Sequence, residues 1–368
     1  VKSGWAIKGE VNKTNMRGGL AMDIRIEDQI QLMPKIDLHL HLDGSLKPET
    51  VLDLAAEQGI ALPETDIERL LPYMRVGEEC GSLTDYLSKF AFTTRFLQTP
   101  EALERAAYEA VQQSAAHGCR YVEIRFAPQL HRDQGMSTEE TIHWVITGLR
   151  RGEKKFGMLA RAIAICMRHH PETANLEVIE AAALYQGRGI VAVDLAGDEA
   201  SHPPENFRNV FALAHKKGLP ITIHAGEAAG ASNIEEAVCR LGASRIGHGV
   251  RLLENTEVLR MMEKLRIPME MCPVSNIQTK TVPGWSSYPI RDYYEYGLNI
   301  TVNTDNPSVS GTSLTKEYLI LAERFGFTLK ELSHLVLGSA DAAFLGETEK
   351  RWLKRELSSR FAELQQAI

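Results

Sequence analysis

Eight short strand-like runs, separated by longer stretches with helical spacing, constrain this chain more than any other feature of its sequence. The runs cover residues 36–42, 121–127, 161–166, 190–195, 221–224, 245–248, 268–272 and 299–303. Between them lie segments such as PETVLDLAA from Pro48 and NFRNVFALAH from Asn206, whose apolar residues recur every three or four positions. Strands alternating with helices imply a parallel sheet, because parallel neighbours need a crossover connection. Eight such units over about 270 residues match a single closed (β/α)8 TIM barrel, an α/β fold, although a doubly wound open sheet alternates in the same way. Position favours the barrel. His39, His41, Glu227, His248 and Asp305 all fall at or just past the C-terminal ends of runs, where barrel enzymes carry their chemistry.

The segment between the first two strands is long enough for extra inserted helices. It contains YLSKFAFTTRFL, with Phe90, Phe92 and Phe96 at mixed spacing. Core packing of those helices is one reading of the aromatics, and an apolar lid over the pocket is the other. Residues 1–30 begin without Met and show little periodicity before Ile24. They are expected to be an N-terminal extension, disordered or left over from cloning, ahead of one (β/α)8 domain spanning residues 31–368.

A formal charge of -7 among 368 residues, with no cluster of Lys and Arg, argues against a nucleic-acid partner. No apolar run reaches the roughly 18 residues that a membrane span needs. The five cysteines, Cys80, Cys119, Cys166, Cys239 and Cys272, form no CxxC pair, so neither a disulfide framework nor a thiolate metal site is expected, and a cytoplasmic location fits. The composition leaves partners other than a small molecule, and the oligomeric state, open.

In IDLHLHLDG, period-two alternation puts His39 and His41 on one face together with Asp37 and Asp43, while Leu38, Leu40 and Leu42 take the other. Two inward imidazoles in one strand are costly unless they have a task, and neutral imidazole is a common ligand of zinc. His224, ending ITIHAGE, and Asp305, in ITVNTDNP, are candidates to complete a site. Read singly, His224 could pack and Asp305 could cap the following helix. Together the four would leave an open position on a divalent ion and lower the pKa of water bound there.

The motifs MPKIDLHLHLDGS, YVEIRFAPQLH, VDLAGDE, TIHAGE, RIGHGVRL, CPVSNIQT and VNTDNP, in this order from Pro34 to about Leu345, resemble the bacterial adenosine deaminases of the amidohydrolase superfamily. The resemblance implies one Zn2+ per chain, or another divalent ion, on His39, His41, His224 and Asp305. It implies that Glu227 protonates purine N1, that His248 assists and stabilises the attacking hydroxide, and that Asp305 orients it. By the same resemblance, the Gly197 N–H reaches purine N3 and Asp43 holds the ribose 5′-hydroxyl. An Asp at position 43 favours a purine nucleoside over the free base, since relatives acting on adenine tend to carry Glu there.

One position departs from the family pattern. Asn306 stands where a second carboxylate is usual, and that position is expected to bond purine N7; an amide donates there without needing to be protonated. The expected reaction is hydrolytic deamination of adenosine or 2′-deoxyadenosine. The alternatives are a deaminase of a modified or 5′-substituted aminopurine nucleoside, and a catalytically silent nucleoside-binding protein, which would be expected to have lost Glu227, His248 or a ligand. A two-metal hydrolase bridged by a carboxylated Lys finds no Lys at a strand end between His41 and His224.

Overall fold

The computed structural model describes residues 25–77 and 79–367. All eight expected strands are present: β1 Lys35–His41, β2 Cys119–Phe126, β3 Leu159–Met167, β4 Ile190–Ala196, β5 Thr222–Ala225, β6 Arg245–His248, β7 Met269–Met271 and β8 Ile300–Val302. Every ladder is parallel, in the order β1-β2-β3-β4 and β5-β6-β7-β8. Two bridges close the ring. Val193 pairs with Ile221 between β4 and β5, and Leu40 pairs with Asp305 where β8 runs on to meet β1. The second seam is tight, with His41 N–H donating to Asp305 O and Asp305 N–H to His39 O, both at 2.7 Å. The sheet is therefore a closed barrel, and the open-sheet alternative is set aside.

The helices form because their apolar faces have the barrel wall to cover. Helix Thr138–Phe156 starts in a capping box made by Ser137 and Glu140 and stops at Gly157, whose φ of 63° suits a residue without Cβ. Ile142, Val145, Ile146 and Leu149 make its buried stripe. Leu353, Leu357, Phe361 and Leu364 do the same for the C-terminal helix Glu347–Ala367. Residues 1–24, most of the expected extension, lie outside the described residues. From Arg25 on the chain is ordered into helix Ile26–Leu32, and Ile30 and Met33 join the main core. None of the described helices is long and apolar enough to cross a membrane.

Between β1 and β2 the chain inserts helices Pro48–Gln58, Ile67–Met74, Leu83–Leu87, Phe90–Thr94 and Pro100–Ala116. The three phenylalanines divide between the two readings of them. Phe96 is fully buried in the core and stacks edge-on with Phe92, whereas Phe90 faces the cavity above the barrel, its ring 6.5 Å from that of His41.

One expectation about β1 needs correction. Asp37 does not share a face with His39 and His41, because the β1–β2 pairing shifts register between Asp37 and Leu40. That irregularity turns Asp37 away, so that its carboxylate accepts from Thr304 Oγ1 at 2.5 Å and lines a small cavity beside Leu40.

Candidate active site

β1 delivers His39 and His41 two residues apart, β5 delivers His224 at its third position, and the β8–β1 seam fixes Asp305. Their ligand atoms lie within 4.8 Å of one another and all four residues are buried. His41 Nε2 is 3.3 Å from both His224 Nε2 and Asp305 Oδ1, and His39 Nε2 is 3.4 Å from the same oxygen. A tetrahedral zinc ion with arms of about 2.0–2.1 Å has edges of roughly 3.3 Å, so these separations are those of a coordination shell.

The ring tautomers agree. His39 Nδ1 donates to Glu270 at 2.7 Å and His224 Nδ1 to Asp194 at 3.1 Å. That leaves each Nε2 as a lone pair facing the centre, and His39 Nε2 is buried with no hydrogen-bond partner. An imidazole anchored through one nitrogen to a carboxylate and aiming the other at a common point is the pattern of a metal ligand. The donor set fits a divalent ion.

A second grouping, His39, His248, Cys272 and Asp305, overlaps the first. It fits less well. Burial, with the charges of Asp305, Asp37 and Glu270, pushes the Cys272 thiol well up, and its Sγ–H donates to Glu270 O at 3.4 Å. His248 Nδ1 already accepts from Asn276 Nδ2 at 2.9 Å, while Asn276 Oδ1 accepts from Tyr288 at 3.2 Å.

The carboxylates behind the histidines belong to one buried charge network. Arg125 of β2 donates to Asp194 at 2.8 Å and to Glu270 at 2.7 Å; Arg245 of β6 donates to Glu270 and to Glu123, each at 2.5 Å. All are essentially without solvent contact. Buried charges persist only when paired and hydrogen-bonded. Here the pairing spans the barrel interior and clamps the groups that orient His39 and His224.

Above the ligands lies a cavity of about 680 Å³, within the range of small-molecule sites. Its lining includes Asp43, Gly197, Glu227, His248, Asp305 and Asn306, so the sequence-derived substrate and proton-transfer candidates converge with the metal ligands. Glu227 Oε2 is 3.7 Å from His248 Nε2. Burial, together with the charges of Asp305 and Glu199, pushes the Glu227 carboxyl well above its usual range, with Arg168 opposing. Burial pushes His248 well down, which favours a neutral ring. With Nδ1 accepting from Asn276, that neutral ring carries its proton on Nε2, on the side of Glu227.

Gly197 has a φ of +112°, which only glycine adopts without strain. Asn306 and Asp43 each keep one buried oxygen without a partner. The Asn306 side chain lies where a Cβ on Gly44 would be, 2.0 Å from Asn306 Oδ1, so Gly44 is the residue that makes room for it.

Comparison with known proteins agrees with this geometry. The adenosine deaminase family profile matches residues 34–360. The chain belongs to the adenosine deaminase family. It is 40% identical over 335 residues to an adenosine deaminase of Enterococcus faecalis, covering 91% of this chain and 99% of that protein. An amidohydrolase from Burkholderia ambifaria, solved with bound zinc, superposes with a TM-score of 0.85 at 25% identity, over 94% of this chain and 95% of that one. The adenine deaminase of Arthrobacter aurescens superposes with a TM-score of 0.82 at 30% identity, over 89% and 98%. The eight-stranded barrel is thus the amidohydrolase one, and the three-histidine, one-aspartate cluster is its zinc site.

Several residues of this deaminase site escaped the sequence reading. Arg125, Asp194 and Glu270 each interrupt an apolar strand with a charge, a signal that was present in YVEIRF, VAVDLA and PMEM but did not say which charge meets which. Asn276, which engages His248, sits in the CPVSNIQT motif. Glu199 closes VDLAGDE and is taken up below.

Proposed function

We propose that this chain hydrolyses adenosine and 2′-deoxyadenosine to inosine and deoxyinosine with release of ammonia. The observation that carries the proposal is a buried Glu227 set beside the metal cluster in the wall of one nucleoside-sized cavity, where burial raises its carboxyl pKa. A divalent ion at the four ligands supplies the Lewis acidity that makes water a nucleophile near neutral pH.

The chain's own residues do the rest. Glu227 donates its proton to purine N1, which draws electron density from C6. Water oxygen adds to C6, and the first proton it sheds replaces the one Glu227 gave. The C6–N bond then breaks, ammonia takes the remaining proton of the added oxygen, and the keto product keeps its proton on N1. His248 presents its Nε2–H to the attacking oxygen, so its role is to orient and stabilise developing negative charge. Asp305, with one oxygen shared among imidazoles, orients the same water. The Gly197 N–H suits purine N3, the partnerless Asp43 oxygen suits the 5′-hydroxyl, and the Asn306 amide suits N7.

A deaminase of a modified or 5′-substituted aminopurine nucleoside is the second reading. One observation favours it: the same cavity runs on to Arg95, His169, His170 and His202, more donors than a plain nucleoside uses. A substrate panel on zinc-loaded protein decides between them. Adenosine should be consumed faster than 5′-substituted analogues and much faster than adenine, followed by loss of absorbance at the adenosine maximum. Absence of adenosine turnover would overturn the proposal, and preference for an analogue would select the second reading.

A further inference from the structure

After β4, the chain turns at Gly197 and brings Glu199, 1% exposed, under the loop that follows β5. Its carboxylate accepts five hydrogen bonds. Oε1 takes Gly226 N–H at 2.8 Å and Asn233 Nδ2 at 3.0 Å; Oε2 takes the N–H groups of Glu227, Ala228 and Ala229 at 3.0, 2.8 and 3.0 Å. Four consecutive backbone donors therefore converge on one side chain, and the second of the four belongs to Glu227. On its carbonyl side the same loop is held by Arg251, whose backbone N–H donates to Gly226 O and whose guanidinium donates to Ala228 O, both at 3.0 Å.

We infer that Glu199 is a positioning residue for the reaction: it holds the 226–229 loop so that the Glu227 carboxyl stands over the purine ring. The inference rests on the proposed role of Glu227 as proton donor. Three features separate this contact from ordinary loop anchoring. The donors are successive N–H groups, which point to one side only because Gly226 adopts a φ of 67°, a nest that an anionic side chain fills. Glu199 lies two residues after Gly197, so one side chain ties the element proposed to reach N3 to the element proposed to reach N1. Its negative charge also lies close enough to the buried Glu227 carboxyl to oppose a second negative charge there. A neutral glutamine would meet several of these donors with an NH2 group that cannot accept.

The test is a double-mutant cycle on zinc-loaded protein, with zinc content, Tm, kcat and KM measured for wild type, E199Q, E227Q and E199Q/E227Q. In the wild-type background E199Q should lower kcat by about 100-fold, the order expected for a misplaced catalytic group, with zinc content retained and KM moved far less. On the E227Q background the same change should alter kcat by no more than about twofold, since a residue acting through another has nothing left to position. Equal losses on both backgrounds would overturn the inference. E227Q with wild-type turnover would instead remove the proton-donor reading beneath it. Should E199Q fail to fold, E199D keeps the charge but withdraws it by one methylene, and the same cycle is read with it. Wild-type kcat in E199D, or equal losses with and without Glu227, overturns the inference as well.

Discussion

The two halves of the barrel are built differently. β1 to β4 are 7, 8, 9 and 7 residues long, whereas β5 to β8 are 4, 4, 3 and 3. The long half presents His39 and His41 from within a seven-residue strand. The short half lets the chain leave the sheet early and delivers Glu227, His248 and Asp305 from bent backbone: Gly226, His248, Gly249 and Asp305 have φ of 67°, 62°, 68° and 60°. A non-glycine residue in that region costs on the order of 1–3 kcal/mol and persists only where its surroundings enforce it. Asp305 is enforced by the two seam hydrogen bonds to β1, and His248 by Asn276. Each half thus supplies two of the four ligands, His39 and His41 from the long half and His224 and Asp305 from the short one, and the short half alone carries Glu227 and His248, the proposed proton-transfer groups.

The largest effect that breaks this division is expected at Glu227, in the short half. E227Q should retain zinc and bind nucleoside but lose roughly 10²- to 10⁴-fold in kcat, the usual contribution of a positioned acid. Near-wild-type turnover would remove Glu227 from proton transfer. The sign of the pH effect follows from the raised pKa. Glu227 must hold its proton to donate it, so activity is full below its folded pKa and falls as pH rises through it. E227Q should lose that alkaline limb.

Arg125 tests the join between the halves. It belongs to β2 yet reaches Glu270 on β7, and Arg245 of β6 answers by reaching Glu123 on β2. R125M would leave Asp194 and Glu270 short of a counter-charge in a dry interior. The expected loss is about 3–5 kcal/mol of stability, read by denaturant titration. Zinc affinity should weaken roughly 10- to 100-fold, because the carboxylates that orient His39 and His224 are freed. Unchanged zinc affinity in a folded R125M protein would separate the charge network from the metal site.

These cross-barrel pairings also mark where sequence reading stopped. The strands were legible because each is a short apolar run, and their ends differ from the structure by only a residue or two; the run at 268–272 forms Met269–Met271. His39 and His41 were legible because period two needs no knowledge of the fold. Arg125 and Glu270 are 145 residues apart, and Glu199 and Glu227 are 28 apart. Closure of the barrel, not local spacing, makes them neighbours. Asp37 was misplaced for a related reason, since the register shift beside it is set by pairing with β2. His224 and Asp305 stayed open on spacing alone until the family resemblance, and then the geometry, brought them together.

A smaller effect concerns the outer packing of the short half. Glu317, in helix Leu314–Phe325, is fully buried against Val274 and Thr312, and burial pushes its carboxyl up to about 8, those two hydrogen bonds opposing. Below about 4.5 the group is protonated in both folded and unfolded chains. Between about 4.5 and 8 the folded chain binds the extra proton, so stability falls as pH rises through that window and is lost beyond it. E317Q should flatten that part of the stability profile, measured as Tm against pH. An unchanged slope would assign it to other groups.

The smallest expected effect, and the one most particular to this chain, is at Asn306. Its side chain lines the cavity beside Asp305 and Asp43, with Oδ1 buried and partnerless against Gly44. As an amide it can donate to purine N7 at any pH. An aspartic acid in its place can donate only while protonated, and its ionised form would face Asp43 and Asp305 at close quarters. N306D should therefore match wild type at acidic pH and fall behind as pH rises, by about two- to tenfold in kcat/KM, the range of one neutral hydrogen bond. Parallel pH profiles for the two proteins would mean that Asn306 makes no hydrogen bond to the base. Its backbone would then be its only contribution, carrying the chain from the strained Asp305 into helix Pro307–Ser310.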